Sequence, residues 1–155
     1  MKLSVYYVDA FTDKLFSGNP AAVIFSDLTD TLTMQNIATE NNLSETAFIR
    51  EEGGIYHIRW FAPSCEIDLC GHATLASAYT YFNFINPGST ELEVHSTKNG
   101  SLKVILENDF LFLDFPADSL TTLNEDLIEK IIGIEPFEIY QGRDDILAIV
   151  NSETI

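Results

Sequence analysis

Short runs rich in apolar, β-branched and aromatic residues recur along the chain and predict strands. Turn-forming pairs separate several of them, including Gly53-Gly54 and Asn99-Gly100, which favour hairpins. The strand-like segments lie at 3–10, 21–25, 46–50, 55–61, 66–70, 91–96, 102–107 and 110–115, with two more between 137 and 150. The three segments from 91 to 115 follow one another through tight turns, which is typical of an antiparallel meander.

Two helices are predicted in the first part of the chain. Thr33 is the expected N-cap residue of a helix over 34–42. The second helix runs from His72 to about Ile85, and its residues are small or apolar with almost no charge on any side. A helix of that composition is buried all round. The pattern therefore predicts an α+β protein with one helix in its core.

The segment after residue 115 departs from this pattern. Residues 116–124 are polar and are predicted to form a linker, and 125–132 suggest a short amphipathic helix that begins a new unit. About thirty residues cannot bury a core of their own. We therefore expect a first domain at 1–118 and, at 119–155, a linker with the beginning of a truncated second domain.

Composition and charge narrow the range of partners. The 155 residues are 46% hydrophobic and 12% aromatic, which fits a globular chain. The formal net charge of -16 repels phosphate backbones and anionic lipid, so neither nucleic acid nor a membrane is an expected partner. A small anionic substrate would need local donors such as a helix N-terminus. The chain shows neither a secretory signal nor a membrane-length apolar run, so we expect a cytoplasmic protein.

The strongest local pattern for chemistry is Gly71-His72-Ala73-Thr74, where a strand meets the buried helix. Glycine lets a ligand approach the backbone closely, and the first amides of a helix are free donors. His72 adds a side-chain donor. We expect this corner to bind a carboxylate. The alternative is a helix that merely begins with glycine.

Glu45 and Cys70 are the other candidate residues. Glu45 has apolar neighbours, Leu43, Ala47 and Phe48, which would partly desolvate a carboxyl that both takes up and releases a proton. On local sequence alone, most of the 24 acidic residues are simply solvated. Cys70 lies at the predicted helix N-terminus, where the pKa of a thiol falls. It is either a catalytic acid or base, or a small buried hydrophobe that closes a strand.

Metal and nucleotide sites are not expected. Cys65 and Cys70 are too few for a disulfide scaffold, and no further Cys or nearby His completes a zinc site. The glycine motifs of nucleotide-binding proteins and serine hydrolases do not occur. His57 and His95 lie in or near strands, which favours structural or surface roles. We expect neither a metal nor a cofactor.

Five short stretches occur in order along the chain: Val8-Asp9-Ala10-Phe11-Thr12, Phe16-Ser17-Gly18-Asn19-Pro20-Ala21-Ala22-Val23, Leu43-Ser44-Glu45-Thr46-Ala47-Phe48, Arg59-Trp60-Phe61-Ala62-Pro63 and Leu69-Cys70-Gly71-His72-Ala73-Thr74. With Gly142-Arg143-Asp144-Asp145 near the end, they resemble the phenazine biosynthesis PhzF-like family, whose fold is that of diaminopimelate epimerase. Each stretch alone is weak. Together they make the resemblance specific over nearly the whole chain.

The resemblance implies two similar domains, each a curved mixed β-sheet wrapped around a central buried helix, with the active site in the cleft between them. Glu45 takes the place of the family's proton-transferring glutamate. The residues expected to bind substrate are His72, Gly71, Ala73, Asn19 and Cys70. The chemistry implied is a cofactor-independent isomerisation of a small carboxylate-bearing metabolite, with Glu45 as general base and then acid. We expect Glu45 and Gly71-His72 to share one pocket.

Two departures from the family keep other functions open. Family members are nearly twice as long, so a second domain that contributes part of the site would be largely missing. The face left exposed would favour a homodimer, or the chain would be an inactive binding module. In related epimerases and racemases a thiol from each domain flanks the substrate, so Cys70 keeps a cysteine-dependent amino-acid racemase as an alternative.

Overall fold

The computed structural model describes residues 2–14, 16–123, 133, 136–143 and 145–151. The chain divides into two compact units, Met1–Phe115 and Pro116–Ile155. The first unit contains all the candidate residues except the turn at 142–145. Within the described residues, no helix is long and apolar enough to cross a bilayer.

The first unit is built on an eight-stranded sheet. Its strands are β1 (Tyr6–Ala10), β2 (Asn19–Phe25), β3 (Glu45–Glu52), β4 (Ile55–Phe61), β5 (Glu66–Ile67), β6 (Glu91–Ser96), β7 (Gly100–Glu107) and β8 (Phe110–Asp114). They are ordered β1-β2-β3-β4-β6-β7-β8, and the short β5 also pairs with β4. The meander predicted for β6, β7 and β8 is confirmed, since both of its pairings are antiparallel.

Two parallel pairings make the sheet mixed. β2 runs parallel to β3, and β4 runs parallel to β6. A parallel connection needs a crossover segment, and here each crossover carries a helix. Helix α1 (Thr31–Asn41) joins β2 to β3, and helix α2 (Gly71–Thr80) lies between β5 and β6.

Helix α2 is the core helix of the unit. It contacts β1, β2 and β3 and also β8, so strands from both edges of the sheet reach the same helix. The sheet therefore curls around α2, and the predicted curved mixed sheet around a buried helix is confirmed. The small side chains Ala73, Ala76 and Ala78 are at most 1% exposed. They allow the helix and the sheet to approach closely.

The other face of the sheet is covered by α1. Phe48 of β3 packs there with Ile24, Met34, Ala38 and Phe61 in a second, smaller core. The neighbouring residues Ala47 and Ile49 point to the α2 side instead. Because β3 is buried on both faces, its sequence reads as a continuous apolar run rather than an alternating one.

The start of α1 differs from the prediction. Thr33 is not the N-cap residue, because the helix begins at Thr31 and Asp30 caps it. One carboxylate oxygen of Asp30 accepts hydrogen bonds from the Thr33 amide at 2.8 Å and from the Thr33 hydroxyl at 2.6 Å. Those bonds hold the pKa of Asp30 below its usual value. A carboxylate is a stronger acceptor for the first-turn amides than a hydroxyl, so the aspartate takes the capping position.

The end of the core helix also differs. Instead of continuing to Ile85 as an α-helix, the chain widens into a π-helical turn at Tyr81–Ile85. The Asn86 amide donates to the Tyr81 carbonyl at 2.8 Å, which is the hydrogen bond to the fifth residue that defines this turn. The rings of Tyr81 and Phe84 stack against Phe25 and Tyr6, respectively.

The second unit contains a small antiparallel sheet. It is formed by β9 (Thr121–Thr122), β10 (Glu138–Gln141) and β11 (Ile146–Ile149). The two strands predicted between 137 and 150 are present, but β9 lies in the segment predicted to be a linker. The polar composition of this segment gives no signal for a strand, and β9 pairs with β10 over only two residues. The predicted helix at 125–132 lies outside the described residues.

Candidate active site

The candidate site begins with Glu45, the first residue of β3. Helix α1 ends at Asn41, and Asn42 adopts a left-handed conformation whose amide donates to the Ala38 carbonyl. That helix end turns the chain back towards the sheet within a few residues. Ala21 of β2 pairs with Glu45 across the parallel ladder, so the carboxylate position is fixed by two strands.

His72 and Cys70 lie at the N-terminus of α2. Cys70 is the N-cap residue, and its carbonyl accepts from the Thr74 amide at 3.2 Å and the Thr74 hydroxyl at 2.6 Å. The Cys70 side chain makes no aligned capping hydrogen bond, in contrast to Asp30 at the start of α1. The first turn of α2 therefore has no aligned capping side chain, and the thiol of Cys70 is the group that competes with a ligand for its amides.

The carboxylate and the imidazole meet in a buried contact. Glu45 Oε2 lies 3.0 Å from His72 Nε2, and the two side chains are only 17% and 10% exposed. The contact lacks hydrogen-bond alignment, and neither atom has another hydrogen-bond partner among the described residues. Buried polar atoms rarely stay unpaired in folded proteins, so a ligand that bonds to both would satisfy them.

The thiol of Cys70 approaches the other nitrogen of the same ring. Its Sγ atom lies 3.4 Å from His72 Nδ1. Burial, reinforced by the nearby Glu45 carboxylate, raises the pKa of the thiol to about 12, although the amides of Ala73 and His72 act in the opposite direction. The expectation that the helix N-terminus lowers this pKa is therefore wrong. Desolvation outweighs the helix amides because the side chain is buried.

The remaining predicted residues surround this contact in different ways. Gly71 is the first residue of α2, and a Cβ atom there would lie 3.1 Å from the Phe115 ring. Ala73 is fully buried, and its amide acts on the Cys70 thiol. Asn19 begins β2, and its Oδ1 accepts from the Ser44 hydroxyl at 3.1 Å. The structure thus brings Glu45, Cys70 and His72 into contact and holds Asn19 beside the residue before Glu45.

Two residues without a predicted role also lie in this region. Ser44 links Asn19 to the start of β3, and a serine in a loop gives no signal of that contact. Trp60 pairs with Ala47 of β3 on one side and Ile67 of β5 on the other. Its indole Nε1 is buried and has no partner among the described residues. In the sequence, only the family-like stretch that contains Arg59-Trp60-Phe61 draws attention to Trp60.

The described part of the chain contains one group of three side chains that could hold a metal ion. It consists of Glu45, Cys70 and His72, whose possible ligand atoms lie within 4.8 Å of one another. The geometry counts against an ion there. The thiol and the carboxylate approach opposite nitrogens of one imidazole, whereas a histidine binds an ion through a single nitrogen.

Comparison with known proteins relates the chain to one family. Residues 8–128 match the sequence profile of PhzC-PhzF, described as phenazine biosynthesis-like protein. An uncharacterized isomerase of Pseudomonas aeruginosa is 44% identical over 99% of this chain and 59% of its own length. A phenazine biosynthesis-like domain-containing protein of Homo sapiens is 42% identical over 86% of this chain and 50% of its own.

Solved structures show the same relationship. A crystal structure of a phenazine biosynthesis protein of the PhzF family from Enterococcus faecalis superposes with a TM-score of 0.89 at 42% identity, covering 99% of this chain and 59% of that one. The structure of a predicted epimerase from Pseudomonas aeruginosa shares the fold, with a TM-score of 0.67 at 16% identity. The match covers 90% of this chain and 56% of the epimerase chain. The chain thus spans about three fifths of the length of the bacterial relatives it matches.

Proposed function

This chain belongs to the phenazine biosynthesis-like family PhzC-PhzF, and on that premise we propose that it carries the glutamate half of a cofactor-independent isomerase site. The reaction proposed is the movement of a proton between two positions of a small carboxylate-bearing metabolite. The names of the bacterial relatives, which are uncharacterized isomerases, support the reaction class. The substrate class rests on the chemistry of the site.

Glu45 is the proposed general base and then general acid. An isomerisation of this kind removes a proton from one carbon and returns it to another, so one carboxylate in reach of both positions suffices. Glu45 is held at the start of β3 by its strand neighbours, and its side chain is 17% exposed. That exposure leaves a path to a ligand, while the surrounding protein limits access of water that would exchange the proton.

His72 and the start of α2 are proposed to hold the substrate. The misaligned contact with Glu45 leaves His72 Nε2 without a hydrogen-bond partner among the described residues. The amides of the first turn lack a capping side chain, and they favour a negatively charged group. A substrate carboxylate seated there would place charge beside donors, which would also stabilise charge that develops as the proton leaves.

The overall charge of the protein makes such local donors necessary. A net charge of -16 disfavours any anion at a distance. A substrate carboxylate can be retained only if hydrogen bonds at the site outweigh that repulsion. The single observation that carries the proposal is therefore the meeting of Glu45 and His72, 3.0 Å apart, at the uncapped N-terminus of α2.

The proposal is tested by proton exchange and by binding. The chain is incubated in deuterated water with a panel of small carboxylates that carry an acidic C–H bond, and mass spectrometry measures deuterium in the recovered compound. Glu45→Gln is expected to lower the exchange rate by about 100-fold or more. Glu93→Gln is the matched control, since Glu93 is an exposed glutamate on β6. Exchange that survives Glu45→Gln would contradict the proposal.

The same panel separates the alternatives. A cysteine-dependent racemase would lose exchange with Cys70→Ala and keep it with Glu45→Gln. The raised pKa of Cys70 counts against that reaction, since a racemase base must be a thiolate. Carboxylates that bind between Glu45 and His72 in a crystal without any exchange would favour a binding module.

A further inference from the structure

We propose that Cys70 is a positioning residue that fixes the tautomer of His72, so that the ring carries its proton on Nε2 and presents it to the substrate. The inference deepens the proposed function and rests on it for the identity of the bound partner. It assigns Cys70 a part in the site other than that of acid, base or ligand. The contacts of the two ring nitrogens support it.

The first support is the position of the thiol. Cys70 and His72 are separated by Gly71 alone, and the first turn of α2 brings Sγ to 3.4 Å from Nδ1. Both residues are buried, with 6% and 9% of their surfaces exposed. A buried ring nitrogen needs a hydrogen-bond partner, and the thiol of Cys70 is the side-chain group in contact with Nδ1.

The second support is the direction of that hydrogen bond. The thiol stays protonated at neutral pH, because burial raises its pKa to about 12. The amides of Ala73 and His72 face the sulfur and favour it as an acceptor for them, so its proton is directed elsewhere. When the S–H group donates to the ring nitrogen that it contacts, Nδ1 is the acceptor. A neutral imidazole that accepts at one nitrogen carries its proton on the other, here Nε2.

The third support comes from Glu45 on the far side of the ring. Its Oε2 atom lies 3.0 Å from Nε2. The opposite tautomer would place a lone pair of Nε2 against a carboxylate oxygen, which is a contact between two acceptors. A proton on Nε2 removes that repulsion, and because the contact is not aligned the same proton is free to bind a substrate oxygen.

Glu45 is also the competing acceptor for the thiol proton. The carboxylate raises the pKa of Cys70 through its charge and through a side-chain hydrogen bond with the thiol. If the thiol donated to Glu45 rather than to Nδ1, Glu45 alone would favour the proton on Nε2. The two arrangements therefore differ in how the tautomer of His72 responds when the thiol is removed.

The test is a measurement of the tautomer of His72 by long-range proton–nitrogen correlation spectroscopy. The full 155-residue chain is labelled with nitrogen-15 and studied without any ligand at about pH 8, where an imidazole is ordinarily neutral. The sequence holds three histidines, so His57 and His95 serve as internal references. His72 is expected to show a proton-bearing Nε2 and an acceptor Nδ1.

Two substitutions of Cys70 test the cause. Cys70→Ala removes the donor and is expected to lower the ratio of the two tautomers about five-fold, the effect of losing one ordinary hydrogen bond. Cys70→Ser keeps a donor at the same place and is expected to restore the ratio. Cys65→Ala is the matched control, since Cys65 is exposed and should leave His72 unchanged.

Either of two results would overturn the inference. One is a wild-type His72 whose proton sits on Nδ1. The other is a tautomer ratio that Cys70→Ala leaves unchanged, which would mean that the thiol donates to Glu45 or to nothing. Because the measurement uses no substrate, it is separate from the proton-exchange assay. Absence of exchange together with the expected tautomer would reject the proposed function and leave the role of Cys70 standing.

Discussion

Among single residues, Cys70 carries the clearest consequence for stability. Its pKa rises from an ordinary value of 9.0 to about 12 on folding. A group whose pKa is higher in the folded state stabilises the fold fully below the unfolded value and loses that contribution as the pH rises through the folded value. We expect the free energy of unfolding to decline between about pH 9 and pH 12, as measured by urea denaturation at several pH values.

The comparison with Cys70→Ala isolates the thiol. Tyr56 also contributes to the decline, since its hydrogen bond with Tyr81 and its burial raise its pKa to about 12. In Cys70→Ala only the tyrosine part should remain, and the stability curve should fall less steeply. Cys65→Ala is the control and should follow the wild type. Identical curves for Cys70→Ala and the wild type would contradict the raised thiol pKa.

The sequence predicted which candidate residues lie together better than it described their state. The stretches around Glu45 and His72 led us to expect both side chains in one pocket, but the 3.0 Å distance between them depends on how β3 and α2 come together. The direction of the Cys70 pKa shift was predicted wrongly. A helix N-terminus and a buried position shift a thiol in opposite directions, and local sequence does not reveal which is larger.

Among elements, the turn before β2 offers a test of backbone constraint. Gly18 has a φ of +81°, and a Cβ atom there would overlap the Ala10 carbonyl oxygen. Gly53, in the β3–β4 hairpin, has a φ of +62° and open space around it. Gly53→Ala should therefore cost about 1 kcal/mol of unfolding free energy from backbone strain alone, whereas Gly18→Ala should cost about 3 kcal/mol or more.

Thermal and urea denaturation of the two variants would measure the difference. Since Asn19 follows Gly18 directly, Gly18→Ala should also disturb the Asn19 contact with Ser44. Equal losses in the two variants would show that the chain at Gly18 can move away from Ala10.

Most strands could be predicted because their apolar runs and glycine turns are local features. The strand β6 was predicted with its observed bounds, Glu91–Ser96. Its parallel pairing with β4 was not, since strand partners distant in the chain are set by packing around α2. The π-helical turn was missed for a similar reason. Residues 81–85 have helical composition, and the widening shows only in the hydrogen bonds.

At the scale of the whole molecule, the net charge of -16 predicts an unusual dependence on salt. Raising the ionic strength from about 0.01 M to 0.15 M shortens the screening length from about 30 Å to 8 Å. A small carboxylate that binds at the start of α2 should then bind a few-fold more tightly, because the general repulsion is screened. Calorimetry with the carboxylate and with its neutral amide would measure this.

The amide is the control, since its affinity should change little with salt. A carboxylate affinity that falls as salt is added would show that attraction at the site, rather than the overall charge, dominates binding.

The expected homodimer and the cytoplasmic location stay predictions. Exposed rings such as Phe16 and Phe110, 97% and 69% exposed, are compatible with further contacts but do not identify a partner.

The π-helical turn at Tyr81–Ile85 has a consequence for how this chain is aligned with others. Such a turn accommodates one residue more than a regular helix of the same extent. A relative that continues the helix regularly would therefore align with a single-residue gap at this point. An alignment without that gap would pair residues after the turn with the wrong positions of the relative. The aromatic residues that stack on β1 and β2 would then no longer be compared with their true counterparts. Removing one residue from the turn should convert it to an α-helix, so insertion or loss here is a small evolutionary step.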